Sequence, residues 1–481
     1  MKRKIIRLFV IALILSCFSV QSTLVAQVGV NYKKVQLSYV DLSDNAKISA
    51  NPVITENIKL KKTESADNSI VVNYNSIINS NLSGIGGAFN EQGGEAFMSL
   101  TKKERKVLLE ALFSSTKGSG FSLCRTAVGA SDFGLGAYSY SEVADDYEMK
   151  YFSIDRDKKT VIPFILAAKK ENPDLQMFAS PWSPPAWMKI SGKMDGGKLG
   201  DTTNVLKSDP SIYKAYALYF SKYIQEYYRN GVVINRLVIQ NETDMNPSYP
   251  GCDMLPEQMS ELVSGYIRPQ FTKDGIKTEI WAGTFRDVNQ PEARDDAQNF
   301  MKLNGSKDVT GVGLQYCPPT TMAELRKDYP NIKMMHTEGN CYNGKNSMAQ
   351  ARNRFSEIAN WLNSGVDNYC YWNMVLNEEG KSGWGWKQNS LVNIDRQTGV
   401  ISYNPDFAPV SLLSRYIRPG DQCLKVDIPK GEVAIAVRNN NRLVVFVENN
   451  TRQVKIKNFD LGGTVYAIEI PAQSLCALSF N

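Results

Sequence analysis

Two glutamates stand where strand-like runs end. Glu242 closes Leu237-Val238-Ile239-Gln240-Asn241, and Glu338 closes Met334-Met335-His336-Thr337. Two carboxylates in one cleft can break a glycosidic bond: one protonates the departing oxygen while the other stabilises or attacks the anomeric carbon. Either glutamate alone reads equally well as a solvated strand end paired with a basic neighbour. Their company separates the two readings. Ser180-Pro181-Trp182-Ser183-Pro184-Pro185-Ala186-Trp187 closes another strand-like run, Tyr371-Trp372-Asn373 closes a further one, and Trp384 and Trp386 follow in a Gly-rich loop. Sugars present apolar C–H faces beside hydroxyls, so a sugar site combines indole platforms with Asn, Asp, Glu and Arg. Core packing is the competing explanation for large aromatics. His336 is the one histidine in the chain. A serine triad would have to use it, yet no Gly-x-Ser-x-Gly elbow accompanies it. A metal site would need carboxylates alone around it. Lying two residues before Glu338, it shares that residue's strand face and reads as a packing residue.

The elements that must carry these residues alternate. Strand candidates are Gly84–Asn90, Phe121–Val128, Leu175–Trp182, Asn235–Glu242, Lys277–Thr284, Val309–Cys317, Ile332–Glu338 and Asn368–Met374. Many are near-continuous apolar runs, as in sheets covered on both faces. Between them lie helical stretches such as Lys102–Phe113, Ser211–Tyr228, Pro256–Phe271 and Ser347–Asn363. In Ser211–Tyr228, Tyr213, Ala217, Phe220, Ile224 and Tyr227 recur at helical spacing. The pattern predicts an α/β fold, a (β/α)₈ barrel over 84–415, with both glutamates at the mouth where strands end. An open doubly wound sheet is disfavoured, because Gly84-Ile85-Gly86-Gly87 lacks dinucleotide-loop spacing. From 416 to 481 the chain alternates instead. Val433–Val437, Asn439-Asn440-Asn441 and Leu443–Val447 spell a hairpin. With strand-like runs in the 27–83 segment, such as Ile70-Val71-Val72, the two ends predict a shared β-sandwich.

Composition bounds the rest. The 481 residues are 43% hydrophobic and 22% charged, which is ordinary for a globular chain. Lys2, Arg3, Lys4 and Arg7 precede an apolar run from Leu8 to Val20, the layout of an export signal over 1–26. Without those four basic residues the formal charge of +6 falls to +2, which leaves no electrostatic footprint for nucleic acid. Ile14-Leu15-Ser16-Cys17 also resembles a lipoprotein box, which would anchor the chain through a lipid on Cys17. The expected location is therefore periplasmic, cell-surface or secreted. Of eight cysteines, the seven beyond the signal show no CxxC spacing, so neither a zinc site nor a disulfide scaffold is indicated.

Four stretches together resemble a known family. They are Gly84-Ile85-Gly86-Gly87-Ala88-Phe89-Asn90-Glu91, Ala179 to Lys189, Gln240-Asn241-Glu242, and Trp372-Asn373-Met374-Val375-Leu376-Asn377. They resemble glycoside hydrolase family 30, in its glucosylceramidase and β-1,6-glucanase branch, and run in the family's order from about 80 to 420. The resemblance implies a retaining β-glycosidase without metal or organic cofactor, acting on β-1,6-glucan or β-glucosides. It makes Glu242 the acid/base and Glu338 the nucleophile. Asn241 would hold the sugar 2-hydroxyl, Arg125 would keep Glu338 ionised, Glu91 would grip sugar hydroxyls, and Trp182 and Trp372 would wall the pocket. Two departures stand against it. Thr243 follows the acid/base where relatives often carry Pro, and Gln315-Tyr316-Cys317 stands where many have His-Trp-Tyr. That last Tyr commonly bonds the nucleophile. Alternation along the strand would point Tyr316 to the other side, so either another residue supplies that contact to Glu338 or the site is altered. A carbohydrate-binding protein on a degenerate scaffold, or a relative acting on xylan-type chains, are the alternatives.

Overall fold

A computed structural model describes residue 32 and residues 34–198, 201–286, 294–440 and 442–480. The expected export signal, with Cys17, lies outside the described residues. Eight parallel strands pair in chain order: β1 Gly84–Phe89, β2 Leu123–Ala127, β3 Gln176–Ser180, β4 Arg236–Val238, β5 Glu279–Phe285, β6 Gly311–Gln315, β7 Lys333–Glu338 and β8 Asn368–Asn373. β8 returns to β1, with Asn368 opposite Gly84. The expected (β/α)₈ barrel is formed. β1 and β2 approach so closely that a Cβ on Gly86 would lie 2.0 Å from the Leu123 carbonyl oxygen.

The seam between β7 and β8 is stitched by side chains as well as backbone. The His336 N–H donates to Asn368 Oδ1 (3.0 Å), Asn368 Nδ2 donates to the His336 carbonyl (2.8 Å), and the Cys370 N–H donates to His336 Nδ1 (3.1 Å). Burial holds the His336 imidazole well below its ordinary pKa. It is therefore neutral, with Nδ1 free to accept. Its ring stacks on Tyr369 with centroids 4.4 Å apart. The lone histidine thus takes part in closing the barrel.

The helices start where side chains can satisfy their first N–H groups. Thr101 and Glu104 form a reciprocal cap on Lys102–Phe113. Asp209 caps Pro210–Arg229, whose Tyr213, Ala217, Phe220, Ile224 and Tyr227 are all buried as the spacing required. The stretch expected as one helix over Pro256–Phe271 is instead Pro256–Leu262 and Arg268–Asp274, joined by one π-helical turn over Val263–Ile267. Pro269 explains it: the ring cannot donate and would crowd the carbonyl of Gly265, so the turn before it widens.

The second body is a ten-stranded sheet made from both ends of the described chain. Its order is Ile54–Lys59, Lys34–Asp41, Ser474–Phe480, Arg442–Asn449, Ala434–Asn439, Gln422–Asp427, Ile70–Asn79, Lys455–Leu461, Val465–Ile470 and Lys61–Lys62. The expected hairpin pairs Ala434 with Val447 and Asn439 with Arg442. Alternation then sorts its side chains. Ile435, Val437, Val444, Phe446, Leu475 and Ala477 join the apolar core of the barrel. Their sequence neighbours Ala434, Ala436, Leu443, Val445, Cys476 and Leu478 fill a separate core inside the sheet. Period-two patterning thus makes one face a docking surface and the other a second core. Cys124, Cys252, Cys341, Cys370, Cys423 and Cys476 are buried free thiols.

Candidate active site

Glu242 does not end a regular strand. The β4 ladder stops at Val238, and the chain continues beside β5 through Ile239 N–H to Trp281 O (3.2 Å) and Gln240 N–H to Gly283 O (2.8 Å). Glu242 itself takes a left-handed φ of 47°, a conformation unfavourable for a side chain larger than Gly. Its N–H donates to Thr284 Oγ1 (3.0 Å), and its Oε2 accepts from Tyr249 OH (3.3 Å). Burial, then the charge of Glu338, pushes the Glu242 carboxyl up to about 7.

Glu338 ends β7 and receives more. Arg125 Nη1 donates to Oε2 at 2.7 Å, and Tyr316 OH donates to Oε1 at 2.5 Å. Burial raises this carboxyl too, but Arg125 and the hydrogen bonds from Tyr316 and Arg125 pull against it. Of the two, Glu338 is the one built to carry a negative charge. The tyrosine contact corrects the expectation from strand alternation. The β6–β7 register shifts between Leu314 and Gln315, and Tyr316 has a left-handed φ of 56°. The strand has ended, so the next side chain turns inward. Cys317 is buried, with its Sγ 3.4 Å from the Gln315 carbonyl.

Arg125, on β2, is fully buried and ties the site together. Nη2 donates to Asn241 Oδ1 (2.7 Å) and Ser180 Oγ (2.7 Å), and Nη1 also reaches the Thr337 carbonyl (3.1 Å). Its guanidinium lies over Trp182, 4.4 Å from the ring centroid. With Oδ1 so held, Asn241 points Nδ2 toward Glu242 Oε2 (3.4 Å). Trp182 stacks on Trp372 at 4.8 Å, and only Trp182 lines the cavity; Trp372 backs it.

That cavity, about 340 Å³, is lined by Glu242, Glu338, Trp182, Tyr249, Tyr316 and Trp386, together with Asp132. Of the seven expected residues, the structure brings together Glu242, Glu338, Arg125, Asn241, Trp182 and Trp372. Glu91 lies apart. Its carboxylate is clamped by Arg156 (Nε to Oε1 2.6 Å, Nη2 to Oε2 3.0 Å) and by the Leu135 N–H (2.7 Å). The third carboxylate beside the pair is Asp132. It is 5% exposed with Oδ1 unpartnered, and burial, then Glu338 and Glu242, raises its pKa well above the ordinary range. Its loop, Ser131-Asp132-Phe133-Gly134, carries no periodic signal that would have singled it out. Among the described residues no cluster of His, Cys, Asp or Glu is placed to hold a metal ion.

Known proteins resemble this chain in sequence and in fold. A family model described as the glycosyl hydrolase family 30 TIM-barrel domain matches residues 82–417. The chain is 30% identical to an endo-1,6-beta-D-glucanase of Aspergillus fumigatus, covering 70% of each chain. It is 24% identical to the lysosomal acid glucosylceramidase of Mus musculus, covering 79% of this chain and 78% of that one. In fold it is similar to SrfJ of Salmonella typhimurium, with a TM-score of 0.83 and 23% identity over 93% of this chain and 99% of that one. The family model spans well over half of the chain and takes in every strand of the barrel, so this protein is a glycoside hydrolase of family 30.

Proposed function

We propose that this glycosidase cleaves β-glucosidic bonds, in β-1,6-glucan and related β-glucosides, by double displacement with retention of configuration. The observation that carries the proposal is the unequal treatment of two carboxyls in one cavity. Glu338 is paired with Arg125 and Tyr316, while Glu242 sits buried and is lifted to about 7. Glu338 attacks the anomeric carbon as Glu242 gives its proton to the departing oxygen. Once Glu338 is esterified, its negative charge is gone, and with it one cause of the raised Glu242 pKa. Glu242 then ionises more readily and takes a proton from the water that releases the sugar. Asn241 Nδ2 is the donor for the 2-hydroxyl. The unpartnered Asp132 Oδ1 is an acceptor for hydroxyls of the reacting unit. Trp182 gives its face to the C–H groups. The glucanase and glucosylceramidase relatives support glucose as the sugar. The export signal expected over 1–26 suits a polymeric substrate met outside the cytoplasm.

The test is product formation from β-glucosides, β-xylosides and β-1,6- and β-1,3-glucans, run beside Glu338→Ala. Cleavage of β-glucosides or β-1,6-glucan, lost in the variant, is the expected result. Preference for xylosides, or turnover that survives in Glu338→Ala, would overturn the proposal.

A further inference from the structure

The last residue of β6 joins the supports of the two glutamates. Gln315 is fully buried, and its Oε1 accepts from Thr284 Oγ1 on β5 at 2.7 Å and from Thr337 Oγ1 on β7 at 3.2 Å. Thr284 Oγ1 is also the atom that accepts the Glu242 N–H at 3.0 Å, so its own proton is the one given to Gln315. Thr337 immediately precedes Glu338 and is the extra residue at the shift in register: Leu314 pairs with His336, but Gln315 pairs with Glu338. An extra residue of this kind re-aims the side chain that follows it. One amide oxygen therefore links the backbone of Glu242 to the step in β7 that presents Glu338. Gln315 Nε2 has no partner among the described residues, so the side chain is held through that oxygen.

We propose that Gln315 is a positioning residue, which braces the acid/base Glu242 against the nucleophile's strand through Thr284. The inference rests on the roles given to the two glutamates above. The brace matters more to Glu242 than to Glu338, because their own anchors are unequal. Glu338 is gripped by Arg125 at 2.7 Å and by Tyr316 at 2.5 Å. The Glu242 carboxyl has longer contacts, Tyr249 OH at 3.3 Å and Asn241 Nδ2 at 3.4 Å, both on Oε2. Its backbone is also strained, with a φ of 47° beyond the point where the β4 ladder stops. Such a conformation persists only where the surroundings over-determine it. The Thr284 hydroxyl takes hold at that strained residue, and Gln315 fixes the hydroxyl. A retaining mechanism needs the two carboxyls about 5–5.5 Å apart, a spacing that a loose acid/base would not keep.

The test follows kcat/KM against pH for the full chain, on the β-glucoside or β-1,6-glucan that the wild type cleaves. The basic limb reports Glu242, whose carboxyl is lifted to about 7 by burial, then by Glu338. Arg286 and the Tyr249 hydroxyl pull it down, and Asp244 adds to the rise. Gln315→Met keeps the length of the side chain but not the acceptor. It should lower the plateau roughly tenfold and bring the basic limb down by about one pH unit as Glu242 leaves its buried place, while the acidic limb set by Glu338 holds still. Thr284→Val breaks the same link beside Glu242 and should give the same two changes. Thr284→Ser keeps the hydroxyl and should leave the limb in place. The double variant Gln315→Met, Thr284→Val should lose no more than the worse single variant, because both substitutions break one link. A basic limb that stays put in Gln315→Met or in Thr284→Val, one that moves as far in Thr284→Ser, or losses that multiply in the double variant overturn the inference. Should Gln315→Met fail to fold, Thr284→Val beside Thr284→Ser decides it. A wild type that cleaves neither substrate overturns the proposed function, and the brace with it.

Discussion

At the level of single residues, the proposed mechanism makes Tyr316 and Glu242 answerable to pH. The Tyr316 hydroxyl donates to Glu338, and a hydrogen bond to a charged group is worth roughly 1.5–3 kcal/mol. Tyr316→Phe should therefore move the acidic limb of kcat/KM upward by about one pH unit and lower its plateau about tenfold, with little change in Tm. An unmoved limb in a pH–rate profile would show that Tyr316 does not tune the ionisation of Glu338. Glu242 acts in the opposite sense on stability. Its carboxyl is raised from 4.5 to about 7, so the folded chain keeps a proton that the unfolded chain has given up. That contribution is complete below about pH 4.5 and is lost as pH rises through about 7. Glu242→Gln, neutral at every pH, should gain on the wild type by up to about 3 kcal/mol between pH 5 and 8. Urea titrations at the two pH values measure the difference, and a constant gap would contradict it. Both glutamates were legible because each ends an apolar run in aromatic company. Tyr316 and Asp132 were not. Tyr316 faces inward only because its left-handed φ breaks the alternation that sequence arguments assume. Asp132 is recruited by a loop whose path depends on the packing around it. The pairing of Glu91 was illegible for a related reason: its partner Arg156 stands 65 residues away, and nothing local announces the contact.

The strands carry these residues, and side chains join backbone pairing in closing one seam of the barrel. Between β7 and β8, Asn368 and His336 exchange hydrogen bonds, and the Cys370 N–H depends on the neutral His336 ring as acceptor. His336→Leu keeps the bulk but leaves that N–H buried without a partner, at about 1–3 kcal/mol. Chemical denaturation should show the loss. Glu338 lies two residues further along β7, so activity at 25 °C should fall as well. A variant as stable as the wild type would mean that backbone pairing alone holds the seam. All eight strand candidates appear in the barrel, since buried parallel strands announce themselves as apolar runs between helical stretches. Their ends were less legible. β4 loses its ladder four residues before Glu242, and the helix expected over Pro256–Phe271 widens into a π-turn at Pro269. In both places the departure follows from backbone conformation or from proline chemistry, which hydropathy does not record.

Across the whole molecule, the sheet built from both ends of the described chain buttresses the barrel. Tyr416 joins the two bodies: its hydroxyl meets Ser38 Oγ at 2.5 Å, and Arg442 Nη2 donates to its carbonyl at 2.8 Å. Phe446 projects from the sheet into the core it shares with the barrel. Phe446→Ala should cost about 3–5 kcal/mol. The loss should lower one common melting temperature for the sheet and for activity, while kcat at 25 °C stays near the wild-type value. Two separate calorimetric transitions would show that the bodies unfold independently. The alternating strands at the chain ends were plain in the sequence, but their order in the sheet was not, because period-two patterning fixes which face a residue takes and not which neighbour its strand pairs with. The central claim concerns the covalent step on Glu338, and the most direct measurement is trapping. The protein is incubated with a 2-deoxy-2-fluoro-β-glucoside bearing a good leaving group, then digested and mapped by mass spectrometry. The expected result is time-dependent inactivation with one glycosyl group on the peptide containing Glu338, absent in Glu338→Ala. A label on another residue, or full inactivation with no covalent adduct, would contradict the double-displacement assignment.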